Sequence, residues 1–219
     1  MTEVDMTTDP YARIAPRYDR LLEGFNAPLR AIGMKMLPPE AGMRVLDVGC
    51  GTGANLVPYI EAGCETFGLD ASEAMLTQAR NRLSGASHLT LGDAASMPYD
   101  DNLFDIVRAS MFLHELAPVV TDDVIREMIR VTAPGGSLVL VDFATEDLTL
   151  RGRGLRVVSM IAERIAGREH HRNCRAYLGA GGIPGLTVAS ALTDTRSRVV
   201  GGGNMGIYVL AKGRESRPS

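Results

Sequence analysis

A regular alternation of short apolar runs with helical patterns, beginning at Arg44, limits the folds open to this chain. The apolar runs have the length of buried strands, and the segments between them carry the 3.6-residue periodicity of amphipathic helices. This order is typical of βαβ units and predicts a mainly parallel sheet with helices on both faces. The predicted strands are Arg44–Val48, Glu65–Leu69, His88–Leu91, Asp105–Ala109, Ser137–Val141, Ser197–Val200 and Ile207–Ala211.

The connection between the last two predicted strands consists only of Gly201-Gly202-Gly203-Asn204. A parallel pair needs a crossover of roughly a dozen residues, whereas an antiparallel pair can be joined by a short turn. These two strands are therefore expected to form an antiparallel hairpin. The predicted fold class is α/β, a parallel sheet closed by a hairpin.

Capping and turn residues suggest where the internal helices begin and end. Ser72 is typical of an N-cap for a helix through Arg82, and Thr121 of one for a helix through Val131. Pro134-Gly135-Gly136 predicts a turn before the fifth strand. Upstream of the alternation, residues 11–37 have helix-like apolar spacing that ends at Pro38-Pro39. The apolar positions of that stretch are Leu21, Leu22, Phe25, Leu29 and Ile32.

Composition restricts the class of protein. The chain has 219 residues, which suits one enlarged domain, and 45% of them are hydrophobic. A net charge of −3 gives no reason to expect nucleic-acid binding. Three cysteines without CxxC spacing argue against a disulfide framework or a metal site and favour a cytoplasmic protein. The acidic residues 1–5 do not resemble a signal peptide, and no apolar run is long enough to span a bilayer.

A glycine-rich segment follows the first predicted strand directly. Val45–Val48 leads into Gly49-Cys50-Gly51-Thr52-Gly53, with a helical pattern behind it. Glycines at such a turn let the backbone bend tightly and let a ligand approach main-chain atoms. The segment alone does not identify the ligand, because Gly49, Gly51 and Ala54 also satisfy the dinucleotide fingerprint of NAD-dependent oxidoreductases.

Three aspartates follow the first three strands. Asp47 lies two residues before Gly49, Asp70 ends the second strand, and Asp93 follows the third. A carboxylate at Asp47 that faces the ligand would repel a pyrophosphate and attract an ammonium and a sulfonium. Asp70 suits the two hydroxyls of an adenosine ribose, and Asp93 suits the adenine amino group. Each aspartate alone is more often a cap or turn residue, but caps do not readily explain all three.

The ordered motifs of this chain resemble those of class I S-adenosylmethionine-dependent methyltransferases. They are Asp47–Gly53, Asp70, Gly92-Asp93-Ala94, Phe104–Val107 and Pro134-Gly135-Gly136. The resemblance implies a Rossmann-like seven-stranded sheet with an antiparallel last strand, and S-adenosylmethionine as cofactor. It also implies cofactor contacts at Asp47, Gly49, Cys50, Gly51, Gly53, Asp70, Ala71, Met75, Asp93, Ala94 and Ser110.

The N-terminal segment indicates a branch of this family. Ile14–Asp19 resembles the corresponding part of ubiquinone/menaquinone C-methyltransferases and of bacterial phospholipid N-methyltransferases. In such enzymes the segment helps to cover the cofactor, and Tyr18 is expected there, although a core aromatic of a capping helix explains it equally well. The single domain 1–219 would comprise a helical cap (1–40), a cofactor-binding core (41–142), a substrate-side insertion (143–185) and a C-terminal hairpin (186–219).

The candidate catalytic residues follow the fourth and fifth strands, where open α/β sheets bind their ligands. His114 has a side chain that can accept a proton near neutral pH. A histidine held by hydrogen bonds at a helix start is the competing interpretation. Asp142 is a further candidate or a pocket residue, and Glu115 is a candidate or a solvated helix residue. Tyr18, from the N-terminal segment upstream of the strands, completes the set of candidates.

The last distinctive stretch, residues 151–175, contains seven arginines and two glutamates. Leu155, Val158, Ile161, Ala162 and Ile165 fall on one helical face within it. This pattern suits an amphiphilic acceptor, such as a quinone precursor or a lipid headgroup, reached from an anionic membrane surface. An ordinary solvated surface helix is the alternative. His170–Cys174 is expected to form a polar lid rather than a metal site.

The sequence thus predicts a methyltransferase of a small or amphiphilic acceptor. A catalytically silent or repurposed S-adenosylmethionine-binding protein remains as the alternative, and an NAD-dependent oxidoreductase as a more distant one. A silent protein would keep the three aspartates but lack a usable substrate loop. The sequence does not indicate the oligomeric state.

Overall fold

A computed structural model describes residues 9, 11–12, 15–146, 148–166, 168–186 and 192–213. The side chains at 21, 162–163, 165–166 and 193–195 fall outside this description. The expectations for residues 1–5, for Ile14 and for the side chains of Leu21, Ala162 and Ile165 therefore concern positions outside the described residues.

The described residues form a seven-stranded sheet in the order β3-β2-β1-β4-β5-β7-β6. Its strands are β1 (Arg44–Val48), β2 (Glu65–Asp70), β3 (His88–Leu91), β4 (Phe104–Ser110), β5 (Thr132–Phe143), β6 (Leu192–Val200) and β7 (Met205–Lys212). Neighbouring strands pair in parallel except β7, which is antiparallel to both β5 and β6. The Rossmann-like α/β fold and the terminal hairpin are therefore confirmed.

Six α-helices accompany the sheet in the described part of the chain: α1 (Tyr18–Met36), α2 (Val57–Glu61), α3 (Glu73–Leu83), α4 (Pro118–Val131), α5 (Leu150–Ala166) and α6 (Arg168–Gly179). Side chains alternate between the two sheet faces. One face presents Val45, Ile106 and Val139 beside α1 and α2, while the other buries Leu46 and Val107 with the apolar side of α4. Both faces of the central strands are therefore covered, as their continuous apolar runs require.

The predicted start of α4 at Thr121 is wrong. The helix begins one turn earlier, at Pro118, after an extended Ala117. Proline at the first helical position has a backbone angle already suited to the helix and needs no N–H partner. Thr121 lies in the first turn, and its hydroxyl donates a hydrogen bond to the Ala117 carbonyl at 3.2 Å. Ser72, in contrast, is the N-cap of α3, accepting the Met75 N–H at 3.1 Å.

The predicted turn at Pro134-Gly135-Gly136 is also different in the structure. β5 begins at Thr132 and continues through these residues to Phe143. Thr132 pairs with Phe104 and Ser137 with Ile106, so the proline and glycines form an irregularity inside the strand. A bulge absorbs extra residues on one strand without ending the ladder, which explains the strong local turn signal.

A buried ion pair lies on the sheet face beside α1 and α2. Asp47 and Arg108 are 0% and 2% exposed, and Nη1 of Arg108 lies 3.3 Å from Oδ1 of Asp47. Burial raises the pKa of Asp47 to about 6, although the nearby Arg108 opposes this shift. Arg108 also lies over the Tyr59 ring, with its guanidinium carbon 5.9 Å from the ring centroid. The pair therefore puts two charges inside the apolar packing of the first and fourth strands.

The raised pKa of Asp47 predicts a pH dependence of stability. Between its ordinary value of 3.8 and about 6, native Asp47 keeps a proton that the unfolded chain has released. The free energy of unfolding should therefore fall as the pH rises through about 6. Asp47→Asn cannot titrate, so the stability of the wild type relative to this variant should drop by about 1–2 kcal/mol between about pH 5 and 7.5.

Urea unfolding of both proteins at the two pH values measures this change. Asp100→Asn, which alters an exposed carboxylate, controls for the loss of one acidic residue. A stability difference between wild type and Asp47→Asn that is the same at both pH values would contradict the account.

Candidate active site

A cavity of about 390 Å³ opens where the first four strands end. Its walls come from the loop after β1, the carboxyl ends of β2 and β3, and the segment after β4, which is where open α/β sheets bind ligands. The predicted site residues that line it are Tyr18, Gly49, Gly51, Asp70, Ala71, Met75, Asp93, Ala94 and Ser110. The parallel strands thus bring together residues that are far apart in the sequence.

The glycine loop after β1 forms the floor of the cavity. Gly49 has a φ of +67°, and a Cβ added there would lie 2.6 Å from the Phe112 ring. Gly51 has a φ of +54°, but a Cβ there would meet nothing within 4 Å. Gly49 therefore permits close packing of the loop against the segment after β4, whereas Gly51 leaves the cavity open beside its backbone.

Asp70 connects the loop to the second strand. Its Oδ2 accepts the Gly51 N–H at 2.7 Å, and its Oδ1 accepts the Ser72 N–H at 2.8 Å. Burial raises the pKa of Asp70, while these N–H donors oppose the shift. Because a carboxylate offers about four lone-pair directions, each oxygen of Asp70 can accept one further hydrogen bond from a cavity ligand.

Asp93 and Ala94 form the cavity wall after β3. Asp93 is exposed, and its Oδ1 accepts the Ala95 N–H at 2.8 Å. An aspartate that accepts the N–H two residues later stabilises a turn, which was the alternative role considered for each aspartate in the sequence. Asp93 has this role and also lines the cavity. Asp93 therefore adds a second carboxylate to the cavity wall besides that of Asp70.

Three of the predicted cofactor-contacting residues, Asp47, Cys50 and Gly53, lie off this cavity. Asp47 does not face it as expected, because strand alternation puts its side chain on the same sheet face as Val45. Cys50 is buried and lines a smaller neighbouring cavity of about 40 Å³. Gly53 allows the loop to approach α3, since a Cβ there would lie 2.9 Å from the Leu83 side chain.

That smaller cavity lies between the start of α1 and the glycine loop. It shares Tyr18, Gly49, Gly51, Ser110 and Met111 with the larger cavity. Its most basic residue is Arg30, whose guanidinium donates to both carboxylate oxygens of Glu23 at 2.9 Å and to Asn55 Oδ1 at 3.0 Å. The two cavities therefore meet along these shared residues, and the smaller one contains the Arg30–Glu23 ion pair.

His114 and Asp142 form a buried pair behind the cavity and do not line it. The ring Nδ1 of His114 lies 2.7 Å from Oδ1 of Asp142, and Oδ2 accepts the His114 N–H at 3.2 Å. Both residues are at most 1% exposed, and the His114 ring packs edge-on against Phe143. The pair fixes the 3₁₀ turn Leu113–Glu115 against β5, which matches the structural interpretation of His114.

The sequence did not single out a second pair, Tyr11 and Glu115, which does line the cavity. The Tyr11 hydroxyl donates to Oε2 of Glu115 at 2.5 Å. Burial raises the pKa of Tyr11, and the neighbouring Glu115 raises it further. The Tyr11 ring also meets Tyr18 edge-on at 6.4 Å between centroids. Glu115 was a weaker candidate in the sequence, whereas no motif or periodicity marked Tyr11.

The cavity wall carries one sign of charge. Five acidic residues and no lysine, arginine or histidine line it among the residues that the structure describes. The acidic residues are Asp9, Asp70, Glu73, Asp93 and Glu115.

In the same described ranges, no group of three histidine, cysteine or acidic side chains could hold a metal ion. No described helix is both long and apolar enough to cross a membrane.

Residues 45–136 match the family model described as a methyltransferase domain. A demethylmenaquinone methyltransferase of Clavibacter sepedonicus is 32% identical over 166 residues, which cover 70% of this chain and 67% of that protein. One of Renibacterium salmoninarum is 36% identical over 135 residues, or 60% and 56% of the two chains. The matched region therefore spans between about half and two thirds of such relatives.

Solved structures share the fold. A chain of the Haloferax volcanii complex between the Trm112 methyltransferase activator and a methyltransferase superposes with a TM-score of 0.67. The two chains are 17% identical, with 94% of this chain and 99% of that chain covered. Phosphoethanolamine N-methyltransferase 2 of Haemonchus contortus, solved with phosphomonomethylethanolamine and S-adenosylhomocysteine, has a TM-score of 0.66 at 17% identity. That match covers 98% of this chain and 61% of the other.

Two glycine substitutions distinguish the effect of backbone strain on stability from the effect of a side chain that blocks the cavity. Gly51→Ala and Gly42→Ala both put a side chain at positive φ (+54° and +86°) with nothing within 4 Å, but only Gly51 lines the cavity. Both variants should lose about 1 kcal/mol of stability. Only Gly51→Ala should weaken binding of S-adenosylhomocysteine, on the order of 10-fold, in calorimetric titration. Equal affinities of the two variants would show that Gly51 does not contact the ligand.

Proposed function

The chain belongs to the class I S-adenosylmethionine-dependent methyltransferases, and on that basis we propose that it methylates a small, amphiphilic acceptor. The acceptor class is a quinone precursor or a lipid headgroup. The observation that carries the proposal is the cavity at the strand ends, whose charged wall residues are all acidic and whose remaining wall is largely apolar.

The charge of the cavity wall favours a cationic nucleoside over a dinucleotide. S-Adenosylmethionine carries a sulfonium and an ammonium, which carboxylates attract, whereas the pyrophosphate of NAD would be repelled. The low dielectric constant of a partly enclosed cavity strengthens both effects. The acidic wall therefore supports methyltransferase chemistry over the dehydrogenase that the glycine fingerprint alone left open.

The residues present fit this cofactor. Lone pairs of Asp70 that its backbone N–H contacts leave over can accept the ribose hydroxyls, because a carboxylate offers about four acceptor directions. Leu91, Ala94 and Met75 supply an apolar surface for adenine beside Asp93. The methionine end would lie towards Gly49, Ser110 and the small cavity, where Arg30 and Asn55 would hold it.

Asp47 supports the cofactor site indirectly in this proposal. Its pairing with Arg108 links the end of β1, from which the glycine loop starts, to the neighbouring β4 without touching the ligand. Cys50 and Gly53 likewise shape the loop, one as a buried side chain and the other by its contact with α3.

The segment after β4 provides the acceptor end of the cavity. Its apolar members suit a ring or an alkyl chain and exclude water from the reacting atoms. They are Met111, Phe112, Leu116, Val120 and Val124. When bound, S-adenosylmethionine supplies an electrophilic methyl group on sulfur, so the chain must mainly align the acceptor atom with it.

Glu115 is the carboxylate at this end of the cavity. We propose that it acts as the general base that removes the proton from an acidic O–H group of the acceptor. The proton of that O–H group would move to the Glu115 carboxylate, and S-adenosylmethionine, when bound, would supply the methyl group that the deprotonated acceptor takes up. The Tyr11 hydroxyl, 2.5 Å from Oε2 of Glu115, orients the carboxylate and closes the cavity above it. Tyr18 packs against Tyr11 and lines both cavities, which suits a covering role.

The names of the relatives support the choice of acceptor. The two bacterial relatives are called demethylmenaquinone methyltransferases, which points to a quinone precursor. A neighbour solved with phosphomonomethylethanolamine shares the fold alone.

Cofactor binding without methyl transfer is the second candidate function, and the burial of His114 and Asp142 away from the cavity favours it.

Two matched variants test the proton acceptor. Glu115→Gln keeps an oxygen for the Tyr11 hydroxyl but cannot take up a proton, so kcat should fall by roughly 10²–10⁴-fold. His114→Asn keeps an N–H donor for Asp142, and kcat should change little. Transfer of labelled methyl groups from S-adenosylmethionine to demethylated naphthoquinols measures both. A large loss for His114→Asn with normal folding, or none for Glu115→Gln, would reverse the assignment.

Asp70→Asn tests the ribose contact. Loss of the charged acceptor should weaken S-adenosylhomocysteine binding by about 1–3 kcal/mol in calorimetric titration. Asp100→Asn, on the exposed surface away from the cavity, should bind like the wild type. Unchanged affinity in Asp70→Asn would remove this residue from the site. Tight binding by the wild type without any label transfer would favour the silent alternative.

A further inference from the structure

Helix α5 turns its apolar side outward. Leu150 is 87% exposed, Val157 58%, Val158 65% and Ile161 54%. At 100° per residue these four positions fall within about one third of the helix circumference. A surface helix normally buries such a stripe and solvates its polar side, so α5 has the reverse arrangement.

Contacts on the opposite side of α5 fix this orientation. Arg156 faces inward, where its Nε donates to Asn204 Oδ1 and its Nη2 to the Ala144 carbonyl, both at 2.5 Å. Its guanidinium also lies 5.6 Å from the centroid of the Phe143 ring. Gly152 packs so tightly on Gly202 that an added Cβ would lie 1.9 Å from the Gly202 carbonyl oxygen. The apolar stripe is therefore held towards the outside.

Exposed arginines border the stripe on both sides. On the helical wheel Arg151 lies beside Val158, while Arg153 and Arg164 lie beyond Val157 on the other edge. The neighbouring α6 adds three further exposed arginines. They are Arg168, Arg172 and Arg175, of which Arg172 pairs with Glu169 at 3.1 Å. An apolar strip with cationic borders is the pattern of helices that lie in a membrane interface.

We propose that this outward face of α5 docks on an anionic lipid surface. Val157, Val158 and Ile161 enter the headgroup region, and the bordering arginines contact anionic headgroups. Charge argues against a second copy of the chain as the occupant, because a symmetric contact would bring the same arginines of both copies together. This inference rests on the proposed function in one respect: an amphiphilic acceptor would give the protein a reason to bind a membrane.

The docking face is connected to the acceptor end of the cavity through one helix. α5 packs on α6, and α6 reaches the cavity wall. Asn173 of α6 donates its Nδ2–H to the Glu115 carbonyl at 2.7 Å, and the His170 ring lies 6.2 Å from the Tyr11 ring. The helix that would contact the membrane is thus linked through α6 to the cavity wall that contains Glu115.

Vesicle sedimentation with the full chain tests the proposal. The lipids are phosphatidylcholine alone or mixed with phosphatidylglycerol, and binding should require the anionic lipid and weaken with salt. The charge variant, Arg153→Gln with Arg164→Gln, should bind about 10- to 30-fold more weakly. The apolar variant, with serine at Val157, Val158 and Ile161, should lose binding to background. Arg156 stays unchanged because it is part of the packing.

A matched control places the same kinds of substitution elsewhere. Val119, 78% exposed, is changed to serine and the exposed Arg126 to glutamine, and this protein should bind vesicles like the wild type. Equal vesicle binding by all variants, or equal binding to neutral lipid, would overturn the proposal. So would a dimer in sedimentation velocity that the apolar variant converts to monomer, because the face would then join two copies.

The outcome is independent of the methyl transfer assay. Calorimetric titration of each variant with S-adenosylhomocysteine reports on the cofactor site and on folding. Normal cofactor binding without vesicle binding by the wild type would refute the docking face alone, whereas vesicle binding without cofactor binding would refute the proposed function alone.

Discussion

The hydrogen bond from the Gly51 N–H to the Asp70 carboxylate, 2.7 Å long, holds the candidate site together. It can form only because β1 and β2 lie side by side in parallel and end at the same edge of the sheet. The Leu69 carbonyl strengthens the junction by accepting the N–H groups of Gly49 and Cys50. This junction fixes the glycine loop at the edge of the cavity that Gly51 and Asp70 line, and the proposed nucleoside site depends on that geometry.

The net charge of −3 does not show that charged residues are concentrated in three separate places in this molecule. The large cavity carries only acidic residues among its described charged members, which suits a cation. Asp47 and Arg108 form a pair inside the packing, where burial makes the charge of Asp47 costly. The arginines of α5 and α6 lie on the outside beside an apolar stripe. An overall charge near zero therefore excludes no partner, because recognition depends on local charge.

Much of the fold could be predicted because it depends on local or geometric rules. The four residues Gly201–Asn204 permit only an antiparallel hairpin, and the structure has one there. Thr121 was wrong as a helix start because Pro118, three residues earlier, stabilises the first turn more strongly. Pro134–Gly136 was mistaken for a turn because a bulge in β5 uses the same residue types as a turn.

The site was harder to predict than the fold. Asp70 and Gly51 follow from a motif, but the orientation of Asp47 depends on the strand alternation that it shares with Val45. The contact between Tyr11 and Glu115 joins residues 104 positions apart, and no spacing rule connects them. The outward apolar side of α5 could not be read from periodicity, because a helical wheel shows a stripe without showing which way it faces.

A crystal structure of the protein with S-adenosylhomocysteine would show directly what Asp70 binds. Both ribose hydroxyls should donate to Asp70, adenine should lie beside Asp93 and Ala94, and the sulfur should point to the wall that contains Glu115. A nucleoside bound elsewhere, or one whose ribose makes no contact with Asp70, would contradict the proposed cofactor site.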